Sequence, residues 1–103
     1  MNFMTIKYKL KSWPEFFTEI FEGRKKHDMR KCDDRDFKVG DILLLQEYDG
    51  DSKIYTGREV EVEVTYITSE KTPCAWSPTA LKQDFCILSI KLLVKKSKRS
   101  DAV

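Results

Sequence analysis

Apolar and polar residues alternate near the start of the chain, Met4, Ile6, Tyr8 and Leu10 against Thr5, Lys7 and Lys9, which is the period of a half-buried β-strand. The period changes at Trp13. Trp13, Phe16, Phe17, Ile20 and Phe21 fall at i, i+3, i+4, i+7 and i+8, which predicts an amphipathic helix from about Ser12 to Glu22 with that stripe on the core. Ser12 and Glu15 have the spacing of a capping box, and Pro14 suits a first turn. Gly23 stands directly behind the stripe, where a left-handed glycine ends a helix and turns the chain. A short strand should follow. In it Asp28 and Arg30, two apart, share one face, His27 takes the other, and Lys25 is held at the turn before them.

Residues 31 to 38 are too polar to pack and read as a loop, and Val39-Gly40-Asp41 turns the chain into Ile42-Leu43-Leu44-Leu45. Four consecutive apolar residues between turn signals predict a strand buried on both faces. It should end at Tyr48-Asp49-Gly50-Asp51, where Asp-Gly favours a tight turn. Val60, Val62, Val64 and Tyr66 then alternate with Glu59, Glu61, Glu63 and Thr65, which predicts a strand with a solvated acidic face. Residues 68 to 84 hold Pro73, Trp76 and Pro78 and form a long connection, a lid loop or the seat of a short helix from Pro78 to Lys82. The last strand is Phe85 to Leu93, with Cys86, Leu88, Ile90 and Leu92 on one face. Several short strands around one early helix, without a βαβ rhythm, give an α+β fold: a small, mostly antiparallel β-barrel with one N-terminal amphipathic helix and a short helix or lid loop. The expected organisation is one domain over residues 1 to 94 and a basic, disordered tail over 95 to 103.

Composition narrows the classes. The 103 residues suffice for one core, with 41% apolar, twelve aromatic and 35% charged residues. No apolar run approaches the roughly 20 residues of a membrane span, and Met1 to Thr5 lacks a secretory leader, so the expectation is a cytoplasmic protein with no membrane partner. Cys32, Cys74 and Cys86 lie far apart and His27 is the only histidine, a set that argues against a disulfide framework and against structural zinc. No metal or cofactor is expected. The net charge of +2 conceals an uneven distribution: residues 24 to 38 hold seven basic and four acidic side chains, and residues 47 to 63 hold six acidic and two basic ones.

The spacing Gly23-x-Lys25-x-x-Asp28-x-Arg30 resembles the signature of ASCH domains, small members of the PUA-like β-barrel superfamily. Arg30-Lys31, Asp34-Arg35-Asp36-Phe37-Lys38-Val39-Gly40-Asp41, Tyr55-Thr56-Gly57-Arg58 and Tyr66-Ile67-Thr68 are similar to a small ASCH-like family of unassigned function, DUF3850-like, found in bacteria and their phages. The resemblance spans residues 7 to 93, and Asp28 stands where the signature usually has a glutamate. It implies a PUA-like barrel with a cleft lined by these positions.

Three readings of function stand at this point. The first is an RNA- or nucleotide-binding module: Arg24, Lys25, Lys26, Arg30, Arg35 and Lys38 meet phosphates or a base edge, Asp28 accepts from a base amino group, and Trp76 either stacks a base or plugs the core. The second follows from the resemblance to ASCH proteins that act as amidohydrolases on acylated, modified nucleosides. Lys25 matches their lysine, but Asp28 replaces their threonine nucleophile, so only Lys25 and Asp28 are candidate catalytic residues. The third is a phage-encoded interaction protein that docks on a host factor. A monomer is expected in each case. Cys32, beside Asp33 and Asp34, is disfavoured as a thiolate nucleophile.

Overall fold

The computed structural model describes residues 5 to 97. Five strands and two short helices follow in the order β1 (Lys7–Ser12), α1 (Pro14–Phe21), β2 (His27–Lys31), β3 (Ile42–Asp49), β4 (Ile54–Thr68), α2 (Ser77–Ala80) and β5 (Phe85–Ser97). The strands make one sheet, β1-β3-β4-β5-β2, in which only β1 and β3 run parallel. The sheet curls into a half-barrel with α1 packed against β3 and β5. Among the described residues no helix is long and apolar enough to cross a membrane.

Period 2 decides what faces inward. Leu10, Leu43, Leu45, Val60, Val62, Val64, Cys86, Leu88 and Ile90 join Phe17 and Ile20 of α1 in the core. Leu44 points outward and is also buried, because the Lys7–Glu61 ion pair, 3.0 Å, spans β3 and covers it. Glu61 also meets Lys96 at 3.4 Å, and Glu59 accepts from the Gln46 amide at 2.9 Å. The glutamate ladder is therefore half-buried, with Glu59 and Glu61 partnered, and not the solvated face expected. Tyr66 departs as well: a register shift between Val64 and Tyr66 turns its ring out of the valine row and into solvent.

The helix is shorter than its stripe. Ser12 is a buried strand residue and makes no cap; Trp13 takes the N-cap position with extended backbone and no side-chain cap bond, so the capping box does not form. Phe17 and Ile20 are enclosed and Phe21 is half-buried, while Trp13 and Phe16 are exposed. Gly23 behaves as expected. At φ 83° it donates to the Ile20 carbonyl (3.0 Å) and lets Arg24 N–H reach the Glu19 carbonyl (2.9 Å), the paired bonds of a Schellman turn. Gly23→Ala should cost about 1–2 kcal/mol by forcing a Cβ into the left-handed region, measured by urea unfolding; an unchanged midpoint would show that the turn relaxes to another conformation.

Two expected boundaries move. The short helix runs Ser77–Ala80 rather than from Pro78 to Lys82. β5 continues through Lys95 and Lys96 to Ser97, paired with Val60, Glu59 and Arg58, so the ordered sheet passes the boundary expected at 94. The remainder of the expected tail, 98 to 103, lies outside the described residues.

Candidate functional site

The basic segment distributes its side chains over three places. The first is the seam of the half-barrel. Asp28, 8% exposed, and Arg30 share the inner face of β2 as period 2 requires, and Arg30 Nε donates to Asp28 Oδ2 at 2.7 Å. Arg30 Nη2 also donates to the Lys11 carbonyl at 3.0 Å. β1 and β2 are the two edges of the sheet, so this guanidinium bridges its open side. Asp28 is thereby occupied by its own chain.

The second place is the helix exit. Lys25 Nζ lies 3.2 Å from Nε2 of His27, and Arg24 Nε meets Glu19 at 2.7 Å. That hydrogen bond lowers the Glu19 carboxyl and raises the Arg24 guanidinium relative to their ordinary pKa values. Lys25 and Lys26 border a cleft of about 350 Å³ with Ile20, Val62 and Ile90. Lys25 and Asp28, the pair a hydrolase would need, thus have separate partners.

The third place is a cleft of about 570 Å³ between the loop after β2 and the segment after β4. Its apolar side is formed by Phe37, Ile67 and Cys86, with Tyr66 on the wall. Its polar groups carry both signs: Arg35 and Lys71 against Asp33, Asp36, Glu70 and Asp84. Glu70 accepts from the Gln83 amide at 3.2 Å. Lys38 lies beside the cleft, bound to Asp36 at 2.6 Å; their hydrogen bond, then their charges, lower the Asp36 carboxyl and raise the Lys38 ammonium. Lys71 adds to the lowering at Asp36. Clefts of about 300–1,000 Å³ with an apolar base and a few polar groups are the usual shape of small-ligand sites.

Of the expected residues, then, only Arg35 lines the large cleft, with Lys38 alongside. Trp76 is 76% exposed at the N-terminus of α2, which removes its core-plug reading. Tyr66, Lys71, Asp84 and Gln83 were not anticipated. Sequence periodicity had assigned Tyr66 to the core, and the others sit in segments whose approach depends on long-range topology. A second polar pair was also missed: Glu47, 5% exposed, accepts from Arg58 Nε at 2.9 Å and Nη2 at 3.0 Å, and from the Thr56 hydroxyl. Arg58 Nη2 further donates to Thr18 on α1 at 3.1 Å. No group of three or more His, Cys, Asp or Glu among the described residues converges to hold a metal ion.

These features define a small α+β half-barrel with a ligand-sized cleft at one end of its sheet. The chain belongs to the family described as a domain of unknown function, DUF3850, whose model matches residues 7–90. It is also similar to an uncharacterized 12.9 kDa protein in the GpA 3' region of Escherichia phage P2, 34% identical over 61 residues. That alignment covers 59% of this chain and 53% of the phage protein.

Proposed function

We propose that this protein is an RNA- or nucleotide-binding module of the PUA-like, ASCH-related kind, with the base held in the large cleft. The observation that carries the reading is the cleft of about 570 Å³ in which Arg35 and Lys71 stand beside an apolar, aromatic wall. A base would stack on Tyr66, an exposed ring with a free face. Its phosphate would meet Arg35 and Lys71, and Asp84, whose side chain makes no ion pair or side-chain hydrogen bond with the described residues, would accept from a base amino group. The signature pair Asp28–Arg30 stands outside the cleft lining, each side chain engaged by the other, and takes no ligand contact in this reading. The hydrolase reading is less well supported, because Lys25 and Asp28 each face another side chain.

The test is calorimetric titration with the four nucleoside monophosphates and a short single-stranded RNA. Arg35→Ala should weaken binding by about 1–3 kcal/mol through loss of a charge-assisted contact. Tyr66→Ala should lose a similar amount, about 1–3 kcal/mol, of stacking. Absence of binding at millimolar ligand, or affinity indifferent to both substitutions, would overturn the assignment. Incubation with acylated cytidines checks the alternative: turnover abolished by Lys25→Met would replace the binding reading with the hydrolase.

A further inference from the structure

The cleft floor holds a chemical group that nucleotide binding does not require. Arg30 is the cross-strand partner of Cys86, and Cys32, two residues on, lies on the same side of the chain, where Cys32 N–H donates to the Asp84 carbonyl at 2.7 Å. Both thiols line the large cleft, Cys32 lying diagonally across the β2–β5 ladder from Cys86. Cys86 is enclosed in the core, while Cys32 is half-buried. The third cysteine, Cys74, is exposed on the connection before α2.

We propose that Cys32 and Cys86 are a redox pair that closes to a disulfide under hydrogen peroxide and makes the floor of the cleft responsive to oxidation. The two thiols have different parts in this. Burial, and after it the Cys32 thiol, pushes the Cys86 thiol up to about 12, so Cys86 stays protonated and is not the first group attacked. Cys32 reaches the open cleft. Its neighbour Asp33 lies 3.8 Å from the Lys31 ammonium. The Cys32 sulfur attacks one peroxide oxygen as its thiol proton is released; the O–O bond breaks, and the departing hydroxide takes up that proton and leaves as water, giving a sulfenic acid. The Cys86 sulfur then attacks the Cys32 sulfur, the S–O bond breaks, and the hydroxide leaves as a second water with the Cys86 proton. Two thiols have lost two hydrogens and the peroxide is reduced to two waters.

The inference does not depend on what the cleft binds, and the experiment uses the full chain. Wild-type protein and Cys74→Ser are treated with hydrogen peroxide, denatured, counted for free thiols and mapped by protease digestion under non-reducing conditions. The expected result is loss of two thiols in both proteins, a Cys32–Cys86 cross-linked peptide, and restoration by dithiothreitol. Cys32→Ser, a change at a half-buried position that should leave the core intact, should retain the Cys86 thiol under the same treatment. A Cys32 sulfinic acid with Cys86 still reduced, or a disulfide that needs Cys74, would overturn the proposal. A nucleotide titration of the oxidised protein then reads whether the closed pair weakens binding, with unchanged affinity showing that the pair does not control the cleft.

Discussion

Phe17→Ala should destabilise the protein by about 3–5 kcal/mol, the range for removing an enclosed aromatic side chain. Phe17 has 0% exposure and lies where α1 closes over the inner faces of β3 and β5. Its ring stacks at a tilt on Phe21, 5.5 Å between centroids, and the Arg58 guanidinium sits 5.2 Å from its centre. An eight-residue helix has too little backbone hydrogen bonding to stand alone. Loss of its main anchor should therefore loosen the whole element. For a domain of this size each kcal/mol shifts Tm by about 4–8 °C. Phe16→Ala is the internal control. Half of that side chain faces solvent, so its truncation should cost well under the Phe17 change. Equal losses at the two positions in urea unfolding would mean that the helix buries a different face.

Much of this architecture is written in period 2. Inward alternation along residues 60 to 64 and 86 to 92 located two strands and their buried faces, and the run from Ile42 to Leu45 located the strand covered on both sides. The helical stripe was read too widely because Trp13 precedes the helix, with extended backbone, and so does not share the 3.6 period of Phe17 and Ile20. Its ring packs instead over Gly50 and lies 5.8 Å from the ring of Tyr48. The parallel pairing of β1 with β3 had no local sequence signal, since it is set by how α1 and β2 carry the chain around the half-barrel.

The site was legible to a different degree. Two residues apart on one strand, Asp28 and Arg30 had to share a face, and they form an ion pair. Lys25 was expected beside them, but the turn at Gly23 directs it to His27. Arg35 was legible only as one charge among many. It becomes a cleft residue because the loop after β2 and the segment after β4, some thirty residues apart, meet above Cys86. The pair Glu47–Arg58 did have a signal. Glu47 continues the inward row of Leu43 and Leu45, and Arg58 continues that of Val60, Val62 and Val64. Opposite charges extending two apolar rows of one hairpin are expected to meet.

That pair carries the second large effect: Arg58→Ala should cost about 3–5 kcal/mol, because it leaves the Glu47 carboxylate buried with its main counter-charge removed. The arrangement is over-determined. Glu47 sits at the register shift between Gln46 and Tyr48, and both of its oxygens receive Arg58 nitrogens. Arg58 in turn joins three elements, accepting a place over the Phe17 and Phe21 rings while donating to Thr18. Arg58→Lys keeps the charge but not the two-pronged geometry, so it should recover only part of the loss. Glu47→Gln removes the buried charge and retains acceptors, and should cost less than Arg58→Ala. The decisive variant is the double substitution Glu47→Leu with Arg58→Met. It removes both charges and fills the space with apolar atoms, and it should be more stable than Arg58→Ala alone. A double-mutant cycle by urea unfolding measures this. If the double variant is as unstable as the sum of its single changes, the cost of Arg58→Ala comes from lost packing on the aromatic rings and not from an unpaired Glu47.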